Sequence, residues 1–288
     1  MHLTLRSYST ALFATWHFIE ELRLLFDAGD GVSAGLLSKN GKVRDVFLSH
    51  ADRDHLTGLL QLLQLNPLGD RLTVHYPADC GSFPALAEFC RRFDPGVPPP
   101  IWSPIRHGDE VPLAGKRIVR AVRNPHVPNA EDRTKSLSYF VLERRRLLKP
   151  ELAGMDQDEL REHILEHGRE AATDEHERRL IGYSADTPVL PASFWAGCEV
   201  LIHEATFLDA AHMEKRGVND TNHHSVLGDV LAMVAEARPG RLVLTHFSNR
   251  YDAAQIRAAV TAGVAEHGIS CPVDLVLPGT IATIELEV

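Results

Sequence analysis

The sequence predicts an α/β fold in which helices lie outside β-sheets. Short apolar segments bounded by turn residues come in runs, which is typical of strands. In the second half of the chain, helical patterns alternate with those strands, which favours helices packed on the faces of sheets. Polar side chains come directly after several of the predicted strands, and this placement indicates where a functional site lies.

The elements of the first half follow from local pattern. Strands are predicted at Leu22–Phe26, Val46–Leu48, Leu72–Tyr76, Arg117–Val122 and Leu137–Leu142. Helices are predicted at Leu56–Leu65 and Phe83–Phe89, where apolar residues recur three and four apart. Pro95–Pro104 is rich in proline and predicts a loop.

A charged segment, Glu151–Arg179, then interrupts the strands. It has helical apolar spacing, and Asp156 with Glu159 forms a capping box. The remaining predicted elements are strands at Leu180–Tyr183, Val200–Ile202, Leu242–Leu244 and Thr283–Leu286, and helices at Pro191–Ala196, Ser225–Ala237 and Ala253–His267. We expect a single domain over residues 1–288, with a charged helical insertion at about residues 150–180.

Composition limits the function. The chain has 288 residues and a formal net charge of −9, so it is not a general binder of polyanions, and contact with nucleic acid would need a local basic patch. The four cysteines form no C-x-x-C pair, which predicts buried thiols in a reducing compartment. No signal peptide and no apolar run of membrane-spanning length is present, so we expect a cytoplasmic protein without membrane association.

The most informative segment is Ser49–His55, which places two histidines and two aspartates after a predicted buried strand. Imidazole and carboxylate groups bind divalent metals, and four polar side chains at this position would be costly to bury unless something satisfied them. We therefore interpret His50, Asp52, Asp54 and His55 as candidate metal ligands rather than as a polar loop that caps the next helix.

Other polar side chains follow predicted strands in the same way. His126, Asp186, Glu204 and His246 come after four different strands, and His224 opens a helix. A lone histidine is more often a satisfied core residue than a ligand. Five such placements beside the first cluster favour one shared site.

These motifs resemble those of metallo-β-lactamase-fold hydrolases, and among them the ribonuclease Z group. His50–His55 is similar to the H-x-H-x-D-H signature, with Asp52 in place of the second histidine. Five further segments match motifs of the ribonuclease Z group in order: Phe26–Gly31, Tyr183–Thr187, Leu201–Phe207, His223–Ser225 and Leu244–Tyr251.

The resemblance implies a four-layer αββα sandwich that holds two divalent metal ions, usually zinc, at the rim of its sheets. By motif position, the ligands are His50, Asp52 and His126 for one metal, Asp54, His55 and His246 for the other, and Asp186 as a bridge. Because Asp52 adds a negative charge and a hard oxygen donor, manganese or iron becomes more plausible than with a histidine there.

The implied reaction is hydrolysis of a phosphodiester by a metal-bound hydroxide. Asp54 would orient or deprotonate the water, His224 would protonate the leaving oxygen, and Glu204 would hold His224 in the right tautomer. Asp27 either fixes a metal-binding histidine or stabilises a turn. Cleavage of precursor tRNA at its 3′ end and hydrolysis of a smaller phosphodiester both stay open, so RNA is a candidate partner.

Several features separate the chain from the ribonuclease Z group. Ser7–Trp16 lacks the glycine-rich start of that group, and the acidic insertion would repel a tRNA backbone, whereas the family's tRNA-binding arm is basic. We interpret the basic patch Arg144–Arg146 as a solvated strand end, and His163 with His167 as a solvated helix face.

Two other functions stay open. The fold hosts many substrates, so hydrolysis of a lactone, thioester or other acyl compound is one alternative. A non-catalytic module with a decayed site is the other, supported only by Asp52. The family often forms homodimers, but no pattern in this sequence decides the oligomeric state.

Overall fold

The computed structural model describes residues 1–66, 72–213 and 223–288, which form fourteen strands and eight α-helices. The strands are β1 (His2–Thr10), β2 (Ala14–Ile19), β3 (Leu24–Phe26), β4 (Asp45–Phe47), β5 (Thr73–Pro77), β6 (Ile101–Ile105), β7 (Glu110–Leu113), β8 (Arg117–Arg123), β9 (Leu137–Leu148), β10 (Thr173–Tyr183), β11 (Cys198–Glu204), β12 (Arg241–Thr245), β13 (Val273–Leu275) and β14 (Ala282–Glu287). The helices are α1 (Val32–Leu36), α2 (Leu59–Leu65), α3 (Ser82–Phe93), α4 (Gln157–His167), α5 (Arg169–Ala172), α6 (Ala192–Trp195), α7 (Leu227–Ala237) and α8 (Ala253–Glu266).

The strands form two seven-stranded mixed sheets. The first has the order β14-β1-β2-β3-β4-β5-β6, and the second has the order β13-β12-β11-β10-β9-β8-β7. Strands β3 to β6 are parallel to one another, as are β10 to β13. Because parallel strands end at a common edge, the loops that follow them in each sheet leave the sheet on the same side.

An apolar core fills the space between the two sheets. Phe26 and Phe47 of the first sheet pack with Tyr139 and Tyr183 of the second, and the ring centroids of Phe26 and Tyr183 are 4.9 Å apart. Burying an aromatic side chain of this size stabilises the fold by about 1.5–3 kcal/mol. Helices α1 to α3 cover the outer face of the first sheet, and α6 to α8 cover that of the second. The predicted four-layer αββα sandwich is confirmed.

Two predicted elements differ from the structure. Pro95–Pro104 is not entirely a loop, because its last residues belong to β6. This strand lies at the edge of its sheet, where a proline such as Pro104 is tolerated. The segment Glu151–Arg179 is not helical throughout, since α5 ends at Ala172 and β10 begins at the next residue. The pattern of apolar residues in the sequence also did not predict β1, β2, β7 or β13.

The charged ends of β9 and β10 form a two-stranded ribbon that extends beyond β8. Arg144 lies opposite Glu177 and Arg146 opposite Glu175, and the side chains of Arg144–Leu147 on β9 are exposed or half-buried. Neither face of the ribbon belongs to the apolar core, so the alternation of apolar and polar residues that marks a strand is missing.

No helix within the described ranges is long and apolar enough to cross a membrane.

One buried histidine between the sheets gives the fold a pH dependence. His17 on β2 places its ring edge against Tyr183, with centroids 5.0 Å apart, and its Nδ1 is 2.6 Å from the Ser7 hydroxyl. Burial disfavours the charged ring and lowers the pKa of His17 from 6.5 to about 3. The folded protein therefore keeps this ring neutral in mild acid.

We predict that His17→Gln reduces the loss of stability in acid. Below pH 6.5 the unfolded chain protonates His17, whereas the folded chain does so only near pH 3. This group therefore lowers the free energy of unfolding by up to about 1.4 kcal/mol for each pH unit of acidification in that window. Urea titrations with a chelator present, run between pH 6.5 and about pH 4, compare the slopes of the parent and the variant. Equal slopes would contradict a buried neutral His17.

Candidate metal centre

The loops that follow several strands meet at one rim of the sandwich. The candidate residues come from the loops after β4, β8, β10 and β12, from the end of β11, and from the residues before α7. The structure brings together the whole predicted set of side chains: His50, Asp52, Asp54, His55, His126, Asp186, Glu204, His224 and His246.

Two groups of donor atoms lie side by side. Oδ2 of Asp52 is 3.6 Å from Nε2 of His50 and 3.8 Å from Nε2 of His126. In the second group, Oδ2 of Asp54 is 3.5 Å from Nε2 of both His55 and His246. A metal with bonds of about 2 Å holds neighbouring ligands about 3–3.5 Å apart, so these separations are close to those of a coordination shell.

Asp186 lies between the two groups. Its Oδ2 is 3.2 Å from Nε2 of His55 and 3.8 Å from Nε2 of His50, while its Oδ1 is 3.4 Å from Nε2 of His246. One carboxylate therefore reaches both groups. This is the position that a ligand shared by two cations would take.

The Nδ1 atoms of two of the histidines donate to groups that can only accept. His55 Nδ1 is 2.9 Å from the Asp27 carboxylate, and His126 Nδ1 is 2.9 Å from the backbone carbonyl of His223. Because neither acceptor has a proton to give, Nδ1 of each neutral ring carries the proton. Nε2 then presents a lone pair to the rim.

Hydroxyl groups fix the other two rings. Ser49 Oγ lies 2.9 Å from His50 Nδ1, and Thr206 Oγ1 lies 2.9 Å from His246 Nδ1. Each hydroxyl donates its own proton to a buried carboxylate, so it accepts from the imidazole N–H. Sequence reasoning gave these hydroxyls no role, although Ser49 and Thr206 both lie within segments that it singled out.

The four Nε2 atoms are buried and make no hydrogen bond to any described residue. A buried polar atom without a partner costs about 1–3 kcal/mol, so four in one place point to a ligand. Neutral imidazole nitrogens and carboxylate oxygens in this arrangement are the donors that divalent metals take. The residues therefore fit two cations, and the identity of the metal stays a prediction.

The rim keeps its carboxylates charged. Burial would raise the pKa of Asp186, but the neighbouring His246 and His55 hold it well below the usual value. Burial opposes a charged His55, yet the carboxylates of Asp186, Asp54 and Asp27 together raise its pKa well above 6.5, so without a cation the ring carries a second proton on Nε2, and a cation bound there would displace it. These shifts describe a concentration of negative charge, which favours bound cations.

His224 and Glu204 form a pair beside the two groups. His224 Nδ1 is 3.2 Å from Glu204 Oε1 and 3.9 Å from Asp186 Oδ2. Glu204 is fixed in turn by the backbone N–H groups of Thr187, at 2.7 Å, and Ser225, at 3.2 Å. Burial disfavours the charged ring, but Glu204 outweighs it and raises the pKa of His224 to about 9. A protonated, partly exposed imidazole therefore stands at the rim.

Three other histidines lie outside these groups of donors. His203 packs its ring edge-on against Trp195, with centroids 5.7 Å apart, and its Nδ1 bonds to a backbone carbonyl. His163 and His167 stack on each other on α4, a helix with no buried residues. Among the described residues, none of these three histidines belongs to a group of metal donors.

Comparison with solved structures identifies the architecture. The metallo-β-lactamase fold protein YhfI from Bacillus subtilis superposes with a TM-score of 0.63 over 98% of this chain and 100% of that one, at 16% identity. The chain has the metallo-β-lactamase fold. The short form of human tRNase Z shares this fold, with a TM-score of 0.60 over 100% of both chains and 18% identity.

Sequence comparison shows similarity to one group of proteins with this fold, the ribonuclease Z group. Ribonuclease Z from Haloferax volcanii is 26% identical over 255 residues, which cover 80% of this chain and 77% of that protein. The resemblance to the ribonuclease Z group, predicted from the motifs, is therefore confirmed. The chain matches no protein-family model.

We predict that the parent protein holds two divalent metal ions per chain and that His126→Ala retains about one. The variant removes one of the three donors of the first group and leaves the second group complete. Purification from metal-replete medium followed by elemental analysis measures the ratio of metal to protein. His75→Ala is the matched control, because His75 is a buried histidine outside the described donor groups. Equal metal content in parent and His126→Ala would contradict the assignment.

Proposed function

We propose that the protein is a ribonuclease Z-like phosphodiesterase that uses two divalent metal ions. The observation that carries the proposal is the set of four buried Nε2 atoms without hydrogen-bond partners, interleaved with three carboxylates at one rim. The similarity to ribonuclease Z from Haloferax volcanii supports the same reaction class.

His50, Asp52 and His126 would hold one cation and Asp54, His55 and His246 the other, with Asp186 shared. Two cations bound there would activate a water and neutralise the charge that develops on the phosphoryl oxygens. Zinc is the metal that the fold group most often uses. Asp52 is half exposed and supplies oxygen instead of imidazole nitrogen, which makes manganese or iron the alternatives to test.

The chain's own residues then handle the protons. Asp54 orients the attacking water and can accept its proton, because its carboxylate reaches the rim and stays ionised. His224 gives a proton to the leaving oxygen. Glu204 accepts from His224 Nδ1 and so directs the other ring nitrogen away from itself.

A smaller phosphodiester is the second candidate substrate, and the insertion favours it. The basic patch that an RNA backbone would need is paired internally: Arg144 with Glu110 at 2.6 Å, and Arg145 with Glu143 at 2.8 Å. Helix α4 exposes acidic side chains along its length. Affinity for an RNA backbone comes largely from free cations, so this surface disfavours a long RNA.

The decisive assay offers precursor tRNA and bis-p-nitrophenyl phosphate to protein loaded with zinc, manganese or iron. We expect the parent to hydrolyse the small diester, and Asp54→Ala to lose at least about a hundredfold in kcat because the water loses its orienting carboxylate. Circular dichroism checks that the variant is folded. Cleavage of tRNA at its 3′ end would assign the processing role, and cleavage of the small diester alone would assign the second candidate. No turnover with any metal would refute a phosphodiesterase.

We also predict that the effect of His224→Asn depends on the leaving group. A general acid contributes about 10²- to 10⁴-fold when the leaving oxygen is basic. A ribose alkoxide needs that proton, whereas p-nitrophenolate leaves without it. The variant should therefore lose far more kcat with an RNA dinucleotide than with bis-p-nitrophenyl phosphate. Equal losses on both substrates would show that His224 does not protonate the leaving group.

A further inference from the structure

The tip of the β1–β2 hairpin carries two exposed apolar side chains next to the candidate metal centre. Leu12 and Phe13 are 60% and 57% exposed. The backbone N–H of Leu12 donates to Oδ2 of Asp54 at 3.1 Å. The tip is therefore one hydrogen bond away from a candidate ligand, and Phe13 follows at the next Cα, about 3.8 Å along the chain.

Several hydrogen bonds hold this tip in place. The N–H of Ala11 donates to the carbonyl of Phe247 at 3.2 Å, and the N–H of Gly279 donates to the hydroxyl of Thr10 at 3.0 Å. Phe13 N–H closes the turn on the Thr10 carbonyl at 3.0 Å. The backbone of the tip is thus tied to the loop after β12 and to the segment before β14.

The turn leaves two apolar side chains in water beside a candidate ligand. Leu12 has a φ of 70°, in the left-handed region, which costs a residue with a side chain about 1–2 kcal/mol. The strain is not offset by burial, because both side chains stay in water, while the neighbouring Trp16 is 1% exposed. A strained backbone that holds apolar groups beside a reactive carboxylate points to a role in binding.

The shape of the tip limits what it can bind. Two large cavities, of about 680 and 500 Å³, are lined by other parts of the chain and not by Leu12 or Phe13. A flexible acyl chain would need an enclosing pocket. An exposed aromatic ring beside an aliphatic side chain instead suits one planar face, and nucleobases stack on such rings whatever their sequence.

We propose that Leu12 and Phe13 form an apolar lip that binds the nucleobase next to the scissile phosphodiester, with the base stacked on Phe13. This inference rests on the proposed phosphodiesterase function and adds a specificity determinant to it. The substrate class is then a phosphodiester with a nucleoside on one side. This holds whether the substrate is a long RNA or a small diester.

The test uses two phosphodiesters with the same leaving group: thymidine 5′-(p-nitrophenyl phosphate), which has a base, and methyl p-nitrophenyl phosphate, which has none. The metal-loaded parent should prefer the thymidine ester, and Phe13→Ala should lower the ratio of the two kcat/KM values about tenfold, mainly through the KM of the thymidine ester. Phe13→Trp should keep the ratio, and Phe13→Leu should lose most of it, because leucine keeps apolar area without an aromatic face.

Phe93→Ala is the control for loss of an exposed phenylalanine, since Phe93 is 68% exposed at the end of α3. It should match the parent on both esters. An unchanged ratio in Phe13→Ala, or an equal fall in Phe13→Trp and Phe13→Ala, would overturn the lip while leaving the phosphodiesterase intact.

A binding measurement separates the two proposals. Thymidine 5′-monophosphate and inorganic phosphate are titrated calorimetrically into the metal-loaded parent, Phe13→Ala and Phe93→Ala. Affinity for the nucleotide should fall about tenfold only in Phe13→Ala, with affinity for phosphate equal in all three. That result supports the lip even if the parent hydrolyses neither ester, which would refute the phosphodiesterase. Equal nucleotide affinity in the parent and Phe13→Ala would refute the lip.

Discussion

The buried carboxylate of Asp27 joins the two sheets at the point where the candidate site is built. It accepts hydrogen bonds from the backbone and hydroxyl of Ser49, from His55 Nδ1, and from the Tyr183 hydroxyl of the opposite sheet at 2.5 Å. An isolated buried carboxylate costs several kcal/mol, but burial is outweighed here by His55 and Tyr183, which lower the pKa of Asp27. Of its two predicted roles, the structure shows the one that fixes a histidine.

This arrangement leaves the histidines of the rim able to bind a metal without turning their rings. Every candidate histidine has its Nδ1 proton bound by a carboxylate, a carbonyl or a hydroxyl, so Nε2 is the only nitrogen left for a ligand. Ligands held on strand ends by a supporting shell lose little entropy on binding. Asp52 differs from the others, because its side chain is 46% exposed, and the substitution that distinguishes this chain falls at the most open position of the site.

The charges at the rim are arranged differently from those on the ribbon and α4. At the rim, ionised carboxylates concentrate negative charge that cations would neutralise. On the ribbon and α4, arginines and glutamates neutralise each other, as in the network of Arg120, Arg144, Glu110 and Glu177. Exposed pairs of this kind contribute about 0–1 kcal/mol each, so the network sets the surface potential more than the stability. This distribution of charge is consistent with our proposal that a substrate is recognised at the rim, where the β1–β2 tip adds apolar surface.

The sequence by itself determined the identity of every candidate donor, because ligand side chains are local properties of the chain, whereas the four-layer sandwich followed from the resemblance of its motifs to those of metallo-β-lactamase-fold hydrolases. The elements it missed include β6 and the ribbon, where an edge position and the absence of a buried face remove the pattern. Only the tertiary structure decided how the donors are held: the carbonyl that fixes His126 belongs to His223, 97 residues away, and the N–H on Asp54 belongs to Leu12. Backbone carbonyl and N–H groups are nearly the same in every residue, so a pattern of side chains does not predict which of them will contact a donor residue.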